Sequence, residues 1–220
     1  MSRGVRMVML GRQGAGKGTQ CVRLSRHYVV PHISTGDMLR AAVREGTPLG
    51  RKAGELMAAG HLVPDDLMID IVDERLDRDD TTSRGYVLDG FPRTVAQAEA
   101  LEQITSSRPL DLVVDLDVST EVVLARLAGR RVCSDCSANY SVDAPPRYGW
   151  VCDNCGGDVV QRNDDTPAAI AKRLAEYESN TAPLVEWYGE RGLLEVVAGW
   201  GTADEVTERL FRVIDARRSA

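Results

Sequence analysis

The sequence predicts an α/β fold, a parallel sheet with helices on both faces and a small inserted module. Short apolar or β-branched runs alternate with longer amphipathic segments, the pattern of strand-then-helix units whose strands are buried on both sides. One stretch breaks that rhythm: Cys133 to Asp165 has no helical period and holds four cysteines with several Gly and Pro residues. At 220 residues, 43% apolar and 27% charged, the chain is long and apolar enough to bury a core. That composition excludes collagen, coiled coil, mucin and disordered tail.

Val5–Leu10 reads as the first strand, stopped by the turn signal at Gly11, and a helical pattern covers 17–27. His32–Ser34 is a short strand candidate. Helical patterns at 37–44 and 50–59 have no strand between them, which places 34–63 outside the main sheet. A further helix at 66–77 precedes the strand Val87–Asp89, which the helix 94–105 follows. Leu112–Leu116 and 119–128 repeat the unit. After the cysteine segment, Thr166 is placed to cap a long helical pattern over 167–188, with Pro167 at its first position. Pro183 should break that helix near 180–182. Leu194–Val197 and 203–217 supply the last strand and helix.

Lys and Arg number 27 against 33 Asp and Glu, a net charge of −6, which argues against wrapping a nucleic-acid backbone. No run approaches the ~20 apolar residues of a membrane span, and Met7–Leu10 is too short for a signal-peptide core. The chain therefore reads as cytoplasmic.

The first strand runs into Gly11-Arg12-Gln13-Gly14-Ala15-Gly16-Lys17-Gly18-Thr19 and then directly into a helix. A densely charged phosphate tail needs many donors at close range. Glycines let the backbone aim successive N–H groups inward, the helix adds its positive end, and Lys17 adds a mobile full charge. Gly18 stands where the strict P-loop pattern has Ser or Thr, which sets Thr19 one position beyond the metal-binding hydroxyl of that pattern. A plain strand-to-helix turn is the bland alternative, disfavoured by the match of strand, spacing and helix. Asp89 ends a neighbouring strand, where ligands sit in such sheets, and suits Mg²⁺ held through water.

Cys133-Ser134-Asp135-Cys136 and Cys152-Asp153-Asn154-Cys155 are two C-x-x-C knuckles fifteen residues apart. That spacing predicts a closed, structural Zn²⁺ site of four thiolates, in a module with too few large aliphatic residues to fold on its own core. A thioredoxin-like redox pair is the competing reading and lacks the strand–helix context. Cys21, on the helix after the cradle, reads as a small core residue. His32 and His61 read as pocket-edge or surface residues.

Taken together, Gly14-Ala15-Gly16-Lys17-Gly18-Thr19-Gln20, Ser34-Thr35-Gly36-Asp37-Met38-Leu39-Arg40 and Asp89-Gly90-Phe91-Pro92-Arg93-Thr94 closely resemble adenylate kinase. The resemblance continues, in order, through Gly129-Arg130-Arg131, Arg162-Asn163-Asp164-Asp165 and Lys172-Arg173-Leu174-Ala175-Glu176-Tyr177. It implies a nucleoside-monophosphate-kinase core with a P-loop, made of 1–33, 64–128 and 166–220. A helical AMP-binding flap would span 34–63 and a zinc-binding lid 129–165.

The resemblance also implies an ATP site at Gly14, Ala15, Gly16, Lys17, Gly18, Thr19, Arg126, Arg130, Asn139 and Tyr140. AMP would meet Thr35, Arg40, His61, Leu62, Val63, Gly90, Arg93, Gln97, Arg162 and Arg173, with Arg40 and Arg93 clamping its phosphate. Arg126, Arg130, Arg162 and Arg173 would serve ATP and the transfer site. Gln97 would face the adenine edge. Lys17, Arg40, Asp89, Arg93, Arg130, Arg162 and Arg173 would carry catalysis, with Mg²⁺ on ATP, Zn²⁺ in the lid and a monomeric chain. The sequence departs from the family at Gln13, where Pro is usual, and at Trp200 after Gly199.

Physical chemistry supports the arginines: phosphoryl transfer spreads charge over equatorial oxygens, and guanidinium groups stay charged and bind two oxygens at once. A kinase for another nucleoside monophosphate, or a nucleotide-sensing module without catalysis, remains the alternative at this level.

Overall fold

A computed structural model describes residues 4–162 and 165–219; Asn163 and Asp164 of the arginine motif lie outside the described residues. The chain runs β1 (Arg6–Leu10), α1 (Lys17–Tyr28), β2 (His32–Ser34), α2 (Thr35–Arg44), α3 (Pro48–Ala58), α4 (Asp65–Leu76) and α5 (Asp79–Arg84). It continues through β3 (Tyr86–Asp89), α6 (Val95–Ile104), β4 (Leu112–Asp117), α7 (Thr120–Gly129), β5 (Arg130–Cys133), β6 (Asn139–Ser141) and β7 (Val159–Val160). It closes with α8 (Pro167–Glu176), a π-helical turn (Tyr177–Thr181), α9 (Pro183–Glu190), β8 (Leu194–Ala198) and α10 (Ala203–Ser219).

Five strands form one parallel sheet in the order β2-β3-β1-β4-β8. β1 sits in the middle, with Met7 and Val8 fully buried, as a strand covered on both faces must be. The chain winds from β1 outward to β2, returns to β3 and then crosses to β4 on the other side. That reversal opens a crevice at the carboxyl end of β1, the place where open α/β sheets bind ligands. One face of the sheet packs on α1, α7 and α10 through Leu24, Val123, Leu127, Leu210 and Ile214. The other packs on α4, α6 and α9 through Met68, Val72, Leu101, Leu184 and Tyr188.

Helix starts follow local chemistry. Ser34, Thr47, Thr94 and Thr166 each accept a backbone N–H of the following turn, and Pro48 and Pro167 open α3 and α8. The long helical pattern over 167–188 is broken as Pro183 requires. Proline lacks an N–H, and the turn before it widens so that Ala182 N donates to Tyr177 O at 2.8 Å.

Two features depart from the sequence expectation. α5 is a short polar helix with no apolar period, held by Arg75, which pairs with Asp80 at 2.8 Å and reaches Thr81 Oγ1 at 2.5 Å. The cysteine segment, which lacks a helical period, forms a small antiparallel sheet in the order β6-β5-β7. Its strands are two to four residues long, too short for periodicity to register.

Leu127 is fully buried on α7 directly under the β1–α1 loop, where a Cβ on Gly14 would lie 2.9 Å from its Cγ. Leu127→Ala should therefore cost about 2–5 kcal/mol of stability, read as a lower urea midpoint. An unchanged midpoint would show that this layer does not support the loop.

Candidate active site

The loop between β1 and α1 is shaped by its glycines. Gly14 has φ +87°, and any side chain there would press on Leu127 and on the Val123 carbonyl. Gly11, at φ +131°, lies so close to β4 that a Cβ would come within 2.7 Å of Leu116 O. The loop thus bends around the end of the strand and delivers α1 with its N-terminus facing the crevice. Lys17, in the first turn of α1, folds back so that its ammonium donates to Gly11 O at 2.7 Å and Arg12 O at 3.1 Å. The enclosing protein lowers the Lys17 pKa; Asp89 opposes that, while Arg93 and Arg130 add to it.

A cleft of about 1050 Å³ runs across the carboxyl ends of the strands. Its walls carry Gly14, Gly16, Lys17, Gly18, Thr19, Arg126, Asn139 and Tyr140 at one end. Thr35, Arg40, His61, Leu62, Val63, Gly90, Arg93 and Gln97 line it as well, together with Asp89, Arg130, Arg162 and Arg173. Ala15 is the exception among the residues the sequence singles out. Its side chain packs in the core, its N–H donates to Arg12 O at 3.1 Å, and its carbonyl accepts from Arg126 Nη1 at 2.9 Å. Through its other nitrogen Arg126 reaches Gly199 O at 3.1 Å, so it ties α7 to two loops while facing the cleft.

Asp89 closes β3 beside Met9 of β1. Burial pushes its carboxyl up, but His32 at 3.7 Å and the charges of Lys17 and Arg93 outweigh burial and hold it below the usual range. It is therefore an anion at neutral pH. Arg93 opens to the cleft, anchored by Nε on Gly90 O at 2.8 Å. The surrounding protein lowers its pKa; Asp89 works against this and Arg173 and Arg40 reinforce it, a sign of cations converging on one volume. Arg40 is held by Asp37 one turn back on α2. Gln97 is almost fully buried: its Oε1 accepts from Arg93 N at 2.8 Å and its Nε2 donates to Asp65 Oδ1 at 2.7 Å. One N–H and one lone pair of that amide remain for another partner.

Two residues that receive no role in the sequence reading organise the middle of the cleft. Asp165 is 2% exposed; Arg130 Nε donates to it at 2.7 Å, a second Arg130 nitrogen also reaches it, and Arg173 lies 3.7 Å away. With its amide oxygen turned toward them, Gln13 accepts from Arg173 Nη1 at 2.7 Å and from Arg130 Nη2 at 2.9 Å. Asp165 stands in the quoted arginine motif and Gln13 in the loop, but only proximity in space shows what they hold. α3 and the residues after it also meet α8, since Arg173 Nη2 donates to Met57 O at 3.2 Å and His61 lies 3.4 Å from Glu176.

In the inserted module the four cysteine sulfurs all lie within 4.8 Å of one another. Cys133 and Cys155 are 3.5 Å apart, as are Cys136 and Cys152. Tetrahedral thiolates about 2.3 Å from a zinc ion would sit about 3.8 Å apart, so the donor set fits with small adjustment. Both knuckles are built alike: Ser137 N donates to Cys133 O at 3.1 Å and Gly156 N to Cys152 O at 2.9 Å. Ser137 and Gly156, each four residues after the first cysteine, share the left-handed conformation. The Tyr140 hydroxyl, 3.4 Å from Cys152 Sγ, pulls that thiol down to about 6. Apart from the cysteines, Val159 is the one buried apolar residue of this module's own cluster among the described residues.

No helix among the described residues is long and apolar enough to cross a membrane. The model of the adenylate kinase family matches residues 9–193. An adenylate kinase of Moorella thermoacetica is 52% identical over 198 residues, 89% of this chain and 91% of that protein. One of Citrifermentans bemidjiense is 49% identical over 96% of this chain and 99% of its own length, and one of Thermodesulfovibrio yellowstonii 46% over 97% and 100%. With the P-loop, the arginine-lined cleft and these likenesses in agreement, the chain belongs to the adenylate kinase family and catalyses its reaction, reversible transfer of the terminal phosphoryl group of ATP to AMP to give two ADP.

Proposed function

We propose a division of labour along the cleft, carried by one observation: Lys17, Arg40, Arg93, Arg130 and Arg173 all face a single cavity whose floor holds the anionic Asp89. The loop amides from Gly14 to Thr19 and Lys17 grip the ATP phosphates at the end of α1. Ala15 contributes through the loop backbone it shapes. Arg126, Asn139 and Tyr140 border the ATP side, with Arg126 bracing the loop. Arg40 and Arg93 hold the AMP phosphate, with Thr35, His61, Leu62, Val63 and Gly90 around the nucleoside. The spare N–H and lone pair of Gln97 suit an adenine edge.

Arg130, Arg162 and Arg173 stand between the two nucleotides, where charge develops on the transferred group. The AMP phosphate is itself the nucleophile, so no side chain has to attack. Asp89 would hold Mg²⁺ through water, the ion neutralising charge on the ATP phosphates. Closure of the flap (34–63) and lid (129–165) on the core excludes water, so that the phosphoryl group is passed to AMP rather than hydrolysed. Cys133, Cys136, Cys152 and Cys155 would hold Zn²⁺, which supplies folding free energy that a cluster of so few apolar residues lacks.

Three outcomes are expected. Offered ATP and Mg²⁺ with AMP, CMP, UMP or GMP in turn, the protein should phosphorylate AMP fastest, read by chromatography of the products; a faster reaction with another monophosphate would overturn the assignment of the AMP pocket. Arg93→Ala should lower kcat by about 10²–10³-fold with the unfolding midpoint unchanged, because the side chain opens to the cleft and supports no packing. Wild-type turnover would remove Arg93 from the transfer site. Cys136 is exposed, so Cys136→Ser removes a ligand without emptying a core position. It should lower the melting temperature and the amide-exchange protection of β5–β7, as should a strong chelator on the intact chain. An indifferent chelator response would take the metal out of the lid.

A further inference from the structure

We infer that Cys21, His32 and Asp89 form a second, three-ligand site for a thiophilic divalent cation such as Zn²⁺, at the floor of the cleft. Cys21 Sγ, a His32 ring nitrogen and an Asp89 carboxylate oxygen lie within 4.8 Å of one another, one of two such groups among the described residues. Each comes from a different element. Cys21 lies one turn beyond Lys17 on α1 and is fully buried, His32 opens β2, and Asp89 closes β3. Such an arrangement is fixed by the sheet and the helix packed on it rather than by a flexible loop.

His32 Nε2 is the decisive atom. It is buried, finds no hydrogen-bond partner among the described residues, and lies 3.7 Å from Asp89 Oδ2. A buried polar nitrogen without a partner is costly, and a metal bond would satisfy it. Zinc bonds of about 2.0–2.3 Å in a tetrahedron place ligand atoms about 3.3–3.8 Å apart. The His32–Asp89 pair already stands at that separation, and Cys21, within 4.8 Å of both, needs to move by at most about 1 Å.

His32 and Asp89 line the cleft, which gives the ion an entry path and leaves the fourth position facing it. A sulfur, nitrogen and oxygen donor set favours Zn²⁺ or Co²⁺ over Mg²⁺. On binding, the Cys21 thiol releases its proton to solvent, and the thiolate and carboxylate together balance the two charges of the ion. The nearby ammonium of Lys17 opposes the cation, so this site is weaker than four thiolates.

An ion there withdraws Asp89 from Mg·ATP. The consequence, inhibition by excess zinc, rests on the reading of Asp89 given above, whereas binding itself does not. Protein whose lid already carries zinc, equilibrated with excess Zn²⁺ and then analysed for metal, should take up one further equivalent. Cys21→Ala should stop at the lid equivalent, and His32→Gln should weaken the second by tenfold or more. In a parallel titration with Co²⁺, wild type should show the thiolate charge-transfer and four-coordinate d–d bands, and Cys21→Ala should lack the increment.

A wild-type chain that stops at one zinc, or a second equivalent that persists in Cys21→Ala, overturns the site. Under Mg·ATP and AMP, excess zinc should inhibit Cys21→Ala at least tenfold less strongly than wild type. A second equivalent that depends on Cys21 and leaves turnover untouched would uphold the site and overturn the role of Asp89.

Discussion

Like charges crowded into one cleft repel one another, and a site for two phosphate tails cannot avoid crowding them. The fold answers with anions placed at the base of the cations. Asp165, nearly inaccessible to solvent, receives Arg130 and lies beside Arg173. Asp89 lies within the fields of Lys17 and Arg93 and is kept ionised by them. Backbone carbonyls do the rest: Gly11 and Arg12 hold Lys17, Gly90 holds Arg93, and Ala15 and Gly199 hold Arg126. Arg93, Arg126, Arg130 and Lys17 are thus held in fixed orientations by the protein itself.

The same arrangement links the segments inserted into the core to the cleft. Arg130 begins β5 of the small antiparallel sheet, and its partner Asp165 stands just before α8. Arg173 on α8 holds the last turn of α3 through Met57 O. The inserted module, α3 and α8 therefore meet at these arginines. Gln13 adds an amide oxygen shared by Arg130 and Arg173. The lid itself is mostly surface, with Tyr148, Trp150, Val151 and Val160 exposed, so its shape depends on the two cysteine knuckles rather than on a packed interior.

The parallel sheet, the loop after β1, the capped start of α8 and the break before Pro183 were all legible in the amino-acid sequence. Each rests on local rules: apolar runs of strand length, glycines where the backbone must turn sharply, hydroxyl caps, and a proline that cannot donate. Each C-x-x-C knuckle likewise closes by a local turn. α5 was not legible, because a polar helix held by Arg75 contacts shows no hydrophobic period. Nor were the two- to four-residue lid strands, whose pairing partners lie up to about thirty residues away.

Order of elements and type of chemistry were thus determined by the sequence itself, since both follow from side-chain types at short spacing. Tertiary structure alone decided which charges face which. Asp165 as the counter-ion of Arg130, Gln13 between two guanidiniums, Ala15 turned into the core, and Cys21 brought beside His32 and Asp89 all join residues from separate elements. The physical reason is that burial and Coulomb interactions depend on distance in space, and packing of helices on the sheet sets that distance in ways that spacing along the chain does not encode.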